Sequence, residues 1–410
     1  MKTDLREFAI FGNRPVFVEA LHVGRPNVGN LDSFNERVRK ILQSKRLTNC
    51  GPFVREFEDA IAQLLSVRHC IAICNGTVAM EIAVRALGLT GEVIVPSFTF
   101  IATPHALRWQ GLTPVFCDIQ RDAHSIDPAC VERLITPRTS GIIGVHLWGE
   151  ACDVEALVQI AERHDLKLLF DAAHALGCSY QGRMIGSFGD LEVFSFHATK
   201  LLNTFEGGLV ATNNDQLAKR IRLMSNFGFA DYDQVVSVGT NGKMSEVSAA
   251  MGITGLESLD EFISANHANY LEYERQLAGL PGLRFYRHST KETGNYQYVV
   301  VEVDESETGI SRDQLQEILW AENILARRYF FPGCHRMEPY RSDFPSTGLL
   351  LPETEGLCNR VLVLPTGSSV TVQDVTAICR VIQLALENAD ELLSLLAQKM
   401  TDMTPAEVCA

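Results

Sequence analysis

Long apolar runs are missing from this 410-residue chain. None reaches the roughly 18 consecutive apolar residues that a helix needs to span a bilayer, so no membrane role is expected. Basic charge is scarce as well: 36 Lys and Arg stand against 50 Asp and Glu, a net charge of −14. Affinity for nucleic acid comes largely from neutralising phosphates, and an acidic chain without a basic block is not expected to bind it. A small phosphorylated ligand is still compatible, because a few backbone amides and cations hold one. A GxGxxG run after the first strand is absent, which argues against a nicotinamide dehydrogenase. HExxH and His-x₃₋₅-His patterns are absent too. The eleven cysteines lack zinc spacing: the close pair in "HCIAIC", Cys70 and Cys74, lies about 13 Å apart along a strand. Reduced core thiols are expected, and no metal. The opening "MKTDLREFAIFGNRP" carries acidic residues where a signal peptide has its apolar core, so a cytoplasmic protein is expected.

The composition, 46% hydrophobic and 21% charged, suits a globular chain long enough for two domains. Residues 69 to 212 alternate between two textures. "CIAIC", "EVIVP", "PVFCDI", "GIIGVHL", "LKLLFD", "EVFSF" and "LVAT" read as seven buried strands. Helical patterns lie between several of them, such as "DVEALVQIAERHD" with Asp153 as its N-cap and "GTVAMEIAVRALGL" after a tight turn. Such alternation predicts an α/β domain with a mostly parallel sheet and helices on both faces, and ligands beyond the carboxyl ends of the strands. Past residue 255 the texture changes. "LESLDEFISANHANYLEYERQLAGL" reads as one long helix, "GNYQYVVVEVD" as an exposed-edge strand, and "VQDVTAICRVIQLALENADELLSLLAQKM" as a helical end. The expected division is a large α/β domain with an N-terminal arm over 1–255 and a smaller α+β domain over 256–410.

Four strand ends carry polar residues that need explaining. Asn75-Gly76-Thr77 precedes a helix, and it is either an N-cap alone or an anion site, since glycine admits a ligand close to free N–H groups. Asp171 closes an unbroken apolar strand in "LKLLFDAAHALG". Its carboxylate is an N-cap, half of a buried ion pair, or the partner of a protonated ligand nitrogen. Ser195 lies five residues before Lys200 in "FSFHATKLLNTFEGG". That lysine sits among residues that look buried, and a lysine is seldom buried unless something pairs or reacts with it. In "VPSFTFIAT", Phe98 and Phe100 do not both fit the core, and one is free to stack on a planar ring. An anion cradle, an aromatic plate, a strand-end carboxylate and a lysine are what pyridoxal phosphate requires. Burial beside an apolar strand favours the nucleophilic amine of the lysine over its ammonium.

Six ordered motifs make the pattern specific: "NGTVAMEIAVRALGL", "VIVPSFTFIAT", "DAAHALG", "FSFHATK....EGG", "GTNGKMSEVSAAMG" and "RRYFFPGCHRMEPY". The chain resembles the DegT/StrS family of pyridoxal-phosphate-dependent nucleotide-sugar aminotransferases from about residue 48 to 375. The resemblance implies the aspartate-aminotransferase-like fold, PLP fold type I, with a seven-stranded sheet. It implies that Lys200 is the Schiff-base lysine and Asp171 the partner of the pyridine nitrogen. Phe100 then stacks on the ring, His174 meets the phenolic oxygen, and Gly76, Thr77 and Ser195 bind the phosphate. Asn241 matches an asparagine that reaches the phosphate of the other subunit, which implies a homodimer with shared sites. His197, Tyr329 and His335 are substrate-site candidates. Arg327 or Arg328 is positioned to offset a diphosphate, and Glu206 with Gly207-Gly208 shapes the turn after Lys200.

Some members of the family carry histidine in place of the lysine and are 3-dehydratases; Lys200 argues against that branch. "FSFHxxK" with "DAAH" resembles members acting at C4 of the sugar, whereas "FSFYPxK" with "DAAQ" marks those acting at C3. The expected reaction moves an amino group from L-glutamate to C4 of a nucleotide-linked 4-keto-6-deoxyhexose. The most similar enzymes in this reading are the dTDP-4-keto-6-deoxyglucose transaminases of secondary metabolism. The alternatives are transamination at C3 of a 3-ketosugar nucleotide, or a non-catalytic regulator on the same fold.

Overall fold

A computed structural model describes residues 2–402. Its centre is a seven-stranded sheet built from the seven apolar runs: β1 (His69–Ile73), β2 (Glu92–Pro96), β3 (Thr113–Cys117), β4 (Thr139–Val145), β5 (Lys167–Asp171), β6 (Leu191–Ser195) and β7 (Gly208–Thr212). The strand order is β1-β7-β6-β5-β4-β2-β3, and only β7 runs against its neighbours. The strands read as continuous apolar runs because both faces are covered. Ile71 and Ile73 point into one core with α1 (Gly76–Leu87), while Cys70 and Ala72 join the opposite core with Phe57 and Ile61. The predicted helix around Val154 spans Val154–His164, and Asp153 caps it by accepting the Ala156 N–H.

The C-terminal part holds a three-stranded antiparallel sheet, β8 (Leu283–Phe285), β9 (Val299–Val303) and β10 (Val361–Leu364), in that order. β9 is its middle strand, not the exposed edge expected from "GNYQYVVVEVD". Val299, Val301 and Val303 pack into one core with Leu283, Phe285, Leu362 and Leu364, while Tyr298 and Val300 pack on Phe98, Trp148 and Phe330. A fully buried valine is worth roughly 1.5–3 kcal/mol, so a strand apolar on both faces gains most in a central place. The long helix expected after residue 255 starts earlier and is broken. One helix spans Glu246–Glu257 and the next Leu259–Leu277, with Ser258 outside helical geometry at φ −110°, ψ 11°. The terminal helical run breaks likewise at Asn388.

The first residues of the chain reach the core around the three-stranded sheet. Leu5, Phe8 and Leu21 lie in that core, and Leu21–His22 pairs in parallel with Ile324–Leu325. Buried Glu322 fixes this return by accepting the Ala9 and Val16 N–H groups. No helix among the described residues is long and apolar enough to cross a membrane.

Candidate functional site

The carboxyl ends of β1, β2, β4, β5 and β6 open into a cavity of about 630 Å³, whose lining includes Gly76, Thr77, Phe100, Asp171, Lys200 and Arg327. That volume suits a small organic ligand. Two close approaches shape its floor. A Cβ on Gly76 would meet Ser195 Cβ at 3.0 Å, and one on Gly208 would lie 2.4 Å from the Asn75 carbonyl oxygen. Glycine at these positions lets β1, β7 and the start of α1 converge. Asn75 Oδ1 accepts the Val78 N–H at 2.8 Å and Asn75 O accepts the Ala79 N–H at 3.0 Å. The N–H groups of Gly76 and Thr77 are left for a ligand, at the positive end of the helix dipole. Ser195 lines the same corner.

Asp171 is not half of an ion pair among the described residues. Thr103 Oγ1 donates to its Oδ2 at 2.8 Å and the Ala173 N–H to its Oδ1 at 3.1 Å, which fixes the carboxylate at the cavity floor. Phe98 and Phe100 part as expected. Phe98 is buried edge-on against Trp148 and Phe330, whereas Phe100 is 59% exposed at the cavity. His174 is buried, its Nδ1 has no hydrogen-bond partner among the described residues, and its ring lies 4.2 Å from that of Tyr298. Burial and the nearby Lys200 charge hold His174 well below its usual pKa, so its ring stays neutral. Lys200 is half-buried, and burial brings its ammonium down to about 8 against the opposing pull of Asp171. Among the described residues it forms no ion pair, and Tyr298 Oη at 3.4 Å is its hydrogen-bond partner.

His197, Glu206 and Tyr329 also line the cavity. His197 is exposed, hydrogen-bonded to Thr199 Oγ1 at 2.9 Å and 3.5 Å from Glu206. Of the two arginines, Arg328 pairs with Asp313 at 3.0 Å, and Arg327 lines the cavity with no carboxylate partner among the described residues, 5.2 Å above the Tyr329 ring. His335 is not brought to the cavity. It is 2% exposed, with Nδ1 2.7 Å from Ser97 Oγ and Nε2 2.7 Å from Glu355 Oε1. Both ring nitrogens are used in pinning the Ser97 loop to the segment after residue 330, so it is removed from the substrate candidates. Asn241 is exposed and does not line the cavity of its own chain.

The DegT/DnrJ/EryC1/StrS aminotransferase family matches residues 30–383. The chain belongs to this family. It is an aminotransferase that uses pyridoxal phosphate, on the expected aspartate-aminotransferase-like fold. The dTDP-4-amino-4,6-dideoxy-D-glucose transaminase of Shigella dysenteriae is 39% identical over 80% of this chain and 88% of its own length. The GDP-perosamine synthase of Caulobacter vibrioides is 37% identical over 83% of this chain and 92% of its own. The structure of DesI in the presence of its TDP-sugar product superposes with a TM-score of 0.91 at 48% identity, covering 96% of this chain and all of that one.

Three residues of this aminotransferase's site escaped the sequence reading. Thr103, in "IAT", lies on the helix after Phe100 and reaches back to Asp171. Trp148, at the end of β4 in left-handed geometry (φ 59°), stacks on Phe330 and His174. Tyr298 lies just before β9 and reaches Lys200. A polar or aromatic residue just past a strand end was the available signal for Trp148; no local signal marked the other two.

Proposed function

We propose that the enzyme transfers an amino group from L-glutamate to C4 of a dTDP-linked 4-keto-6-deoxyhexose. The observation that carries the reading is a half-buried, ion-pair-free Lys200 in a cavity that also presents Asp171 and the start of α1. The site fits the cofactor on its own features. The Gly76 and Gly208 close approaches leave a cradle that side chains would fill, and His174 Nδ1 is a buried polar atom without a partner among the described residues. In this assignment Gly76, Thr77 and Ser195 hold the phosphate, Phe100 covers the ring, Asp171 pairs with the pyridine nitrogen, and His174 faces the phenolic oxygen. When bound, the cofactor supplies an electrophilic carbon and an electron sink. Lys200, with its ammonium disfavoured by burial, is the nucleophile that holds it. Released, Lys200 takes the proton from Cα of the amino donor and returns one to C4 of the sugar, acting as base and then acid. Arg327 meets an anionic group of the substrate, and Tyr329 and His197 stand beside the sugar.

The name of the Shigella dysenteriae relative supports C4, and that name together with the TDP-sugar product of DesI supports a thymidine nucleotide. The test offers dTDP- and GDP-linked 4-ketosugars and a 3-ketosugar nucleotide with glutamate, and locates the new amine by NMR. Amination at C3, or no turnover with any 4-ketosugar, would refute the assignment. The same reading takes the enzyme as a homodimer in the cytoplasm. An exposed apolar hairpin supports a partner copy: Phe227, Phe229, Val235 and Val236 are uncovered, with Tyr232 93% and Val238 72% exposed, a few residues before Asn241. Asn241 is then read as a phosphate ligand for the partner's site. Ten unpaired cysteines among the described residues suit a reducing compartment.

A further inference from the structure

The cavity is lined mostly from the seven-stranded sheet and its loops, yet the hydrogen-bond partner of its lysine comes from beside the three-stranded sheet. Tyr298 precedes β9, and its Oη lies 3.4 Å from Lys200 Nζ. The ring cannot swing away. It is 4% exposed, packed on His174 at 4.2 Å and edge-on to Trp148 and Tyr329 at 5.6 and 6.2 Å. Packing alone calls for the ring and not for its oxygen. A buried hydroxyl costs free energy unless something bonds to it, and Lys200 is the partner in reach.

We propose that Tyr298 is a positioning residue for Lys200, its phenol holding the lysine nitrogen towards the cavity whenever that nitrogen is not covalently engaged. A hydroxyl both donates and accepts. It accepts from Lys200 as an ammonium and donates to Lys200 as an amine, so the contact survives each proton transfer. Burial keeps the phenol proton far above the ordinary tyrosine range, so the phenol does not compete for the lysine's proton. The groups that interact with Lys200 are Asp171, His174 and Tyr298, and Tyr329, Arg327, His197 and Glu206 also line the cavity. Tyr298 therefore makes the lysine's place depend on how the two sheets dock.

The inference rests on Lys200 being the reacting amine, and its test separates the two claims. Tyr298→Phe keeps the ring and removes the oxygen. In the cofactor-free full-length protein, acylation of Lys200 is followed by mass spectrometry across pH 6 to 11. Hydrogen bonds to a charged donor are the stronger kind, so loss of the oxygen destabilises the ammonium most, and the labelling midpoint should fall by about one unit. In the loaded enzyme the half-reaction with glutamate should slow about tenfold, with KM for the nucleotide sugar unchanged. An unmoved midpoint with unmoved rates would overturn the proposal. Should Tyr298→Phe fold poorly, 3-fluorotyrosine at position 298 keeps the shape and weakens the oxygen as an acceptor. It should lower the midpoint by less, and no movement there would also overturn the proposal. Lys200→Ala, assayed alongside, tests the other claim: turnover retained in that variant refutes the lysine's role whatever Tyr298 does.

Discussion

Asn241 is exposed and outside its own chain's cavity, which makes the proposed shared site open to a mixing experiment. One chain carries Lys200→Ala and the other Asn241→Asp. The second change sets a carboxylate against the bound phosphate. Two unit charges about 4 Å apart at an effective dielectric near 20 repel by about 4 kcal/mol, roughly a thousandfold in cofactor affinity. Each homodimer is then inactive, one for want of the lysine and the other for want of cofactor. Equal mixing gives about half heterodimers. If Asn241 serves the partner's cavity, one cavity of each heterodimer collects both lesions and the other has none. Half the dimers with half their sites intact yields about a quarter of wild-type turnover in the mixture, and isolated heterodimers yield about half. If Asn241 serves its own chain, every cavity carries one lesion and mixing recovers nothing. The two chains are co-expressed with different tags, heterodimers are isolated by tandem affinity, and turnover with glutamate and the ketosugar is measured. Purified heterodimers without activity would refute the shared site, and a monomeric protein would refute the dimer.

Thr103→Val removes the hydroxyl that donates to Asp171 Oδ2; one such bond to a charged group is worth about 1.5–3 kcal/mol, so kcat should fall at least about tenfold with cofactor still bound, measured by steady-state kinetics and the cofactor's visible absorbance. His335→Ala leaves Ser97 and Glu355 short of a buried partner and should lower stability by about 1–3 kcal/mol in urea melts, while KM for the nucleotide sugar holds; a selective rise in KM would return His335 to the substrate site. Gly208→Ala drives a methyl group into the Asn75 carbonyl, 2.4 Å away, and should lower both the melting temperature and cofactor affinity. Lys200 is depressed to about 8 in the folded chain from an ordinary 10.5. The cofactor-free protein should therefore gain stability, relative to Lys200→Met, as pH rises from about 8 to 10.5, where the unfolded chain binds more protons than the folded one.

The seven-stranded sheet was legible in the sequence because its signals are local. A parallel strand buried on both faces must be apolar end to end, so each of the seven strands announced itself, and a polar residue such as Asp171 at its carboxyl end stood out. The same locality misled in the C-terminal part. The alternation and polar tip of "GNYQYVVVEVD" resemble an edge strand, but its polar-looking face is covered: Tyr298 and Val300 meet Phe98, Trp148 and Phe330. The contacts with Phe98 and Trp148 join residues some 150 to 200 positions apart, and no periodicity within one segment records them. His335 failed for a related reason. A histidine and a tyrosine in one motif look alike in sequence, yet in the fold Tyr329 lines the cavity while His335 is held in the Ser97–Glu355 network. Sequence thus marked by type residues that the fold gathers at one cavity, a lysine, a carboxylate and a glycine-lined helix start. It was silent on those that act by hydrogen-bonding another side chain, Thr103 on Asp171 and Tyr298 on Lys200, because any small hydroxyl or aromatic would have read the same until the fold brought it within reach.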